Sequence, residues 1–302
     1  MIKIMRTAIV IVSIFSFFPP EPSASDKVKI AVSFYPLSFI AERVGGSHVE
    51  VINMTPAGVQ PHEFEPTMKS IKTVYSSHLF LYNGAGFDSW AEKLAPELKK
   101  KGTVTVNMSS YMVLLNAWND SGKADTKAHD PHFWLDPVLI KREVEVVRNA
   151  LIKKDPANRA DYEKNAASIS TKFDELNNRY SLELKNCKHK DIVVSHSAFQ
   201  YIAKRYGLNM FSILGVTASG EPSPKKLAEL SRIVKEKNIK YVFYESLLSP
   251  KLAQTLSNEA GVKTLTLNTC EGLTDDDIKA GRNYLSLMED NLKNLKTALQ
   301  CN

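Results

Sequence analysis

The chain has 302 residues, 43% of them hydrophobic and 24% charged, with a formal net charge of +6. That length exceeds the usual span of one core, so two domains are expected. The basic excess is thinly spread, densest at Lys99-Lys100-Lys101 and over residues 185–190. With no basic stripe interleaved with aromatics, nucleic acid is excluded as a partner.

At the N-terminus, Lys3 and Arg6 precede an apolar run over residues 7–18, and Ser23-Ala24-Ser25 fits a small-residue cleavage site. The run is short of the roughly 20 apolar residues that span a bilayer. Residues 1–25 are therefore expected to be a signal peptide. Its removal takes Lys3, Arg6 and Glu21, and one unit of positive charge. The cysteines are Cys187, Cys270 and Cys301, none near residue 25 where a lipid would attach. The expectation is a periplasmic protein, not a lipoprotein, without stable membrane insertion. In an oxidising compartment three cysteines allow one disulfide and one leftover thiol. Cys301 is the candidate partner, with either Cys187 or Cys270 across from it.

After Asp26 four runs have strand length and composition: 28–34, 49–55, 78–84 and 103–108. Helical stretches follow them at 36–44, 67–77, 89–101 and 137–154. Alternating strands and helices argue for a parallel sheet. The pattern then breaks. Over residues 156–186, Tyr162, Ala166, Ile169, Phe173, Leu176, Tyr180 and Leu184 fall at gaps of three and four, the stripe of one long helix. Alternation returns with strands at 191–197, 210–216, 240–246 and 263–268, and helices at 198–206, 223–237, 250–260 and 275–300. The expected fold is α/β: two lobes, each a four-stranded parallel sheet flanked by helices, joined by one long backbone helix. The lobes are assigned to 26–155 and 187–302, with 156–186 as the link. A helix of about 30 residues is roughly 45 Å long and acts as a strut against large domain motion.

Ligands of open α/β sheets bind beyond the carboxyl ends of strands. Four candidate groups follow expected strands: His62 in GVQPHEFEP, His132 in HDPHFWLDP, His196 in SHSAF and Glu271 in NTCEGL. Two come from each lobe, so all four can meet in the cleft. Proline beside His62 and His132 stiffens those loops by fixing φ. His129 lies three residues from His132 and competes with it. His48, His78 and His189 read as ordinary loop histidines.

The segments PHEFEPT, DPHFWLDP, SHSAFQYIAKRYGL and LNTCEGLT resemble motifs of the periplasmic zinc- and manganese-binding proteins that feed ABC transporters. The resemblance runs from about Val28 to the C-terminus. It implies metal ligation by His62, His132 and His196, a carboxylate from the last inter-lobe loop, and a membrane permease as partner. Many members carry Asp in a Leu-Asp-Pro turn where this chain has Asn268; others use the Glu of an LNPxEGLT loop. Thr269 and Cys270 stand where those have Pro and an apolar residue, but Glu271 is retained and is taken as the fourth ligand. Asn268, Asp275 and Glu245 are the alternates, and Glu245 reads rather as a group holding a backbone or imidazole N–H.

Three imidazoles and one carboxylate suit Zn²⁺, and Mn²⁺ as well if the glutamate binds through both oxygens. Calcium and magnesium would want an oxygen cage. The short loop before the second motif, with His129 as its sole histidine there, tilts toward manganese or a mixed role, so one Zn²⁺ or Mn²⁺ ion is expected as transported cargo. The expected molecule is a monomeric carrier rather than an enzyme. A zinc hydrolase would need an open coordination position, and Ser195 points away from His196 across the strand. A surface adhesin of the same family is the other alternative. Trp134, Phe64 and Tyr201 are expected to shield the ion from water.

Overall fold

The computed structural model describes residues 27–118 and 124–302. The expected signal peptide lies outside the described residues. In chain order the first part contains β1 (Val28–Val32), α1 (Tyr35–Gly45), β2 (Val49–Asn53), α2 (Met68–Tyr75), β3 (Leu79–Tyr82), α3 (Ser89–Lys100) and β4 (Val104–Asn107). A short antiparallel pair follows, β5 (Asn116–Trp118) and β6 (Ala124–His129), then α4 (Leu139–Lys154) and α5 (Arg159–Glu183). The second part contains β7 (Asp191–Val194), α6 (Gln200–Tyr206), β8 (Asn209–Ser212), α7 (Pro224–Glu236), β9 (Tyr241–Tyr244), α8 (Lys251–Ala260), β10 (Lys263–Thr266), α9 (Asp275–Lys279) and α10 (Tyr284–Leu299).

Each part holds a four-stranded parallel sheet, ordered β2-β1-β3-β4 and β10-β9-β7-β8. Numbered within its own part, each sheet runs second, first, third, fourth. Connections diverge between the first and third strands, which is where such folds bind ligands. Both faces of the sheets are covered, as parallel sheets require. Because side chains alternate along a strand, Leu79 and Leu81 enter the central core while Phe80 and Tyr82 enter an outer cluster under α3. In the second sheet Ile192 and Val194 face the centre, and Val193 faces an outer cluster with Leu230 and Leu256.

The central core is continuous from one sheet to the other. The stripe foreseen on α5 is the buried one: Tyr162, Ala166, Ile169, Phe173, Leu176 and Tyr180, with Leu184 just past the helix end. α5 packs on α1 and α4 from the first part and on α10 from the second. Polar ties fix its position. The Asn165 side chain donates to the Val44 carbonyl at 3.1 Å, and the Tyr180 hydroxyl donates to the Met288 carbonyl at 2.6 Å. Cys187, beyond the end of α5, is disulfide-bonded to Cys301, and Cys270 is a buried free thiol.

Two local expectations change. The helix expected over 275–300 is two helices. Gly281 takes a left-handed φ of 65°, and the Asn283 side chain accepts from the amides of Leu285 and Ser286, starting α10 afresh. The β5–β6 pair was not foreseen, because Asn116–Trp118 is too short and Ala124–His129 too polar to read as strands.

Candidate metal centre

The second sheet presents its groups directly at strand ends. His196 follows β7 by two residues, and Glu245 follows β9 immediately. Glu271 sits in the loop after β10. In the first part the groups stand on loops. His62 lies in a 3₁₀ turn, Pro61–Glu63, and His132 follows β6 in a segment that turns at Phe133–Leu135.

The ligand atoms of His62, His132, His196 and Glu271 lie within 4.8 Å of one another. The Nε2 atoms of His62 and His196 stand 3.1 and 3.2 Å from that of His132. Glu271 Oε1 is 3.6, 3.7 and 3.9 Å from Nε2 of His62, His132 and His196. Ligands about 2.0–2.1 Å from a zinc ion at the centre of a tetrahedron would be about 3.3–3.4 Å apart. The five separations scatter around that edge length. Glu271 Oε1 is buried and has no hydrogen-bond partner.

Each buried imidazole is aimed by a carboxylate on its far side. Asp130 Oδ1 accepts from His132 Nδ1 at 2.7 Å and from the His132 amide at 2.9 Å. Glu245 Oε1 accepts from His196 Nδ1 at 2.8 Å and from the His196 amide at 3.2 Å. With the proton held on Nδ1, the Nε2 lone pair points at the cluster centre. Gln60 does two jobs: its Oε1 accepts the His62 amide at 2.6 Å, and its Nε2 donates to Glu271 Oε2 at 3.1 Å.

Burial, then the neighbouring His196 and His62 rings, holds His132 well below the ordinary histidine range, so that ring is neutral. Burial acts the same way on His196, but the Glu245 carboxylate outweighs it and the pKa rises. For Glu271 burial pulls upward, yet the neighbouring imidazoles, His62 foremost, bring it below its usual value, so it is a carboxylate. Burial pushes Asp130 up to about 8. Three imidazole nitrogens and one carboxylate oxygen form a donor set for a borderline divalent cation.

Phe87 and Trp134 wall the cluster, with ring centroids 4.5 Å from His62 and 5.1 Å from His132 respectively. Phe64 packs instead on Trp90 in the outer cluster, so the expected shield of Trp134, Phe64 and Tyr201 is redrawn. The Tyr201 hydroxyl donates to the Asp130 carbonyl at 2.8 Å and so steadies the His132 loop. Trp134 Nε1 donates to the Thr269 carbonyl at 2.8 Å, anchoring the loop that carries Glu271.

The other candidates stand apart. Asn268 is turned inward, donating to Ser246 Oγ at 2.8 Å and accepting the Cys270 amide at 2.7 Å. Asp275 is exposed at the start of α9, and His129 is exposed at the end of β6. Glu245 lies behind His196 and not among the four converging groups. Besides Phe87 in the wall, two hydrogen-bonding contributors escaped sequence reading, Asp130 and Gln60. Their only signal was proximity: each lies two residues before a histidine, across a proline.

Comparison with known proteins agrees with this geometry. A family model described as ZnuA, zinc-uptake complex component A, periplasmic, matches residues 30–298. The zinc-binding lipoprotein AdcA of Streptococcus pneumoniae (strain ATCC BAA-255 / R6) is 38% identical over 283 residues, covering 91% of this chain and 56% of that protein. The chain thus spans about half the length of the AdcA relatives it matches. The high-affinity zinc uptake system protein ZnuA of Bacillus subtilis (strain 168) is 34% identical over 284 residues, covering 92% of this chain and 89% of that one. The crystal structure of the Zn(II)-bound ZnuA-like domain of S. pneumoniae AdcA superposes with a TM-score of 0.79 at 38% identity, covering 90% of this chain and 99% of that one.

These relatives correct one expectation. Periplasmic placement without a lipid anchor was inferred from the lack of a cysteine near residue 25, yet AdcA of S. pneumoniae is a zinc-binding lipoprotein. A lipid tether leaves the metal-binding fold unchanged, so fold and site carry no information about it. Among the described residues no helix is long and apolar enough to cross a membrane. Matched over nearly its whole length and sharing the fold, this chain belongs to the ZnuA family of zinc-uptake proteins.

Proposed function

We propose that this protein captures one Zn²⁺ ion through His62, His132, His196 and Glu271 and passes it, as a monomer, to the membrane permease of an ABC importer. In this reading residues 26–155 and 187–302 are the two lobes, and residues 156–186 hold them at a fixed spacing. The observation that carries it is the convergence of three imidazole nitrogens and one unpartnered carboxylate oxygen at 3.1–3.9 Å. Glu271 fills the corner that a catalytic zinc site leaves to water, which favours carriage over catalysis. Zinc in the names of the relatives favours zinc over manganese.

The test is competition of the purified protein against a chromogenic chelator, with elemental analysis after growth in defined metals. One zinc per chain is expected, together with metal-dependent thermal stabilisation of about 2.7 kcal/mol once free zinc reaches about 100 times Kd. Tight zinc binding that survives His132→Ala would sink the assignment.

A further inference from the structure

Glu271 has two oxygens in different circumstances. Oε1 faces the three imidazoles and has no hydrogen-bond partner, while Oε2 accepts from Gln60 Nε2 at 3.1 Å. The carboxylate is only 1% exposed, so solvent is not at hand to replace that bond. Gln60 has no freedom to flip its amide. Its oxygen already accepts the His62 amide at 2.6 Å, which leaves the NH₂ end, a pure donor, for Glu271. One side chain of the first sheet's loops therefore fixes the backbone of one ligand and engages the outer oxygen of another, 211 residues away.

We propose that Gln60 selects the metal by restricting Glu271 to coordination through one oxygen. This rests on the reading of the four side chains as ligands. Zn²⁺ is satisfied by four ligands in a tetrahedron. Mn²⁺ stands at the weak end of the first-row series and favours additional oxygen donors. The nearest extra donor in this site is Glu271 Oε2. In this proposal Oε2 reaches the ion only by a turn of the carboxylate that gives up Gln60, a hydrogen bond to a charged and buried group. Such bonds are worth a factor of about ten to a hundred in an equilibrium. Zinc binds without that rearrangement, so the cost falls on manganese alone.

The experiment compares wild type with Gln60→Met, which keeps the bulk and removes the donor, and with Gln60→Ala. Zn²⁺ and Mn²⁺ affinities are measured by chelator competition, and X-ray absorption counts the ligands of the loaded ion. Wild type is expected to hold zinc with three nitrogens and one oxygen. Both variants are expected to narrow the zinc-to-manganese affinity ratio by about ten- to a hundredfold, with manganese gaining a second carboxylate oxygen. If Gln60 serves only to cap the His62 turn, its loss weakens both metals by the same factor. An unchanged ratio with an unchanged ligand count overturns the proposal. If wild type binds no zinc, or His132→Ala binds it normally, the ligand assignment fails, and the proposal falls with it for that separate reason.

Discussion

The two sheets share one strand order yet deliver their ligands by different means. The second places His196 and its supporting Glu245 at the ends of adjacent strands, β7 and β9, where backbone pairing already fixes both positions. The first carries His62 and His132 on loops, so side chains must supply what the sheet does not. Gln60 caps one turn, and Asp130 accepts twice from His132. A loop ligand depends on the neighbours that hold it, and a strand-end ligand depends on the core. The second half also carries a covalent strap, Cys187–Cys301, with no counterpart among the described residues of the first.

The sharpest way to break this contrast is to delete one ligand from each half. His62→Ala and His196→Ala should each weaken zinc binding by more than about 100-fold, beyond the ~10–100-fold cost of losing an outer partner. Only His196→Ala, at a fully buried strand end, should also lower the melting point of the zinc-free protein; calorimetry with and without zinc reads both effects. Next comes the strap. Cys187→Ser should destabilise by about 2–5 kcal/mol in denaturant titrations, because the bond closes a long loop, while leaving zinc affinity unchanged, because neither cysteine is among the converging groups. Outer partners follow. Asp130→Ala and Glu245→Ala should each cost about 10–100-fold in zinc affinity, and the loss should be larger for Asp130 if the loop depends on it more than the sheet depends on Glu245. Equal losses would erase the distinction.

The smallest effects concern one buried polar side chain in each half. Asn291 on α10 is paired twice, donating to the Asn268 carbonyl and accepting the Asn268 amide, both at 2.7 Å. Glu143 on α4 is fully buried, and neither of its oxygens has a hydrogen-bond partner. Asn291→Leu should destabilise, and Glu143→Met should stabilise, by about 1–3 kcal/mol each. Burial raises the Glu143 pKa well above its ordinary value. An acid raised in the folded state contributes stability that is full below its unfolded pKa and is lost as pH rises toward the folded one. The advantage of Glu143→Met over wild type should therefore be larger at pH 8 than at pH 5; urea titrations at the two values decide it.

Much of this architecture could be read from the chain. The α5 stripe is legible because tyrosines and aliphatics repeat at helical spacing with no glycine or proline between them. The four converging groups are legible because each follows a strand-like run. Asp130 and Gln60 are not, since their part depends on which way a loop side chain turns, and Gln60 meets Glu271 only through the fold. The cysteine pairing stayed open for a similar reason. It requires knowing that α10 runs back beside the end of α5, bringing Cys301 to Cys187. The division of the last helix was readable in hindsight from Gly281 followed by Asn283, a stop and a fresh cap.

A beam nailed to both walls leaves a building only its doors to move. With α5 seated on α1, α4 and α10, swinging one sheet away from the other would tear open the shared interior. Any change at the site then has to come from local rearrangement of the loops that carry its side chains rather than from a swing of the sheets.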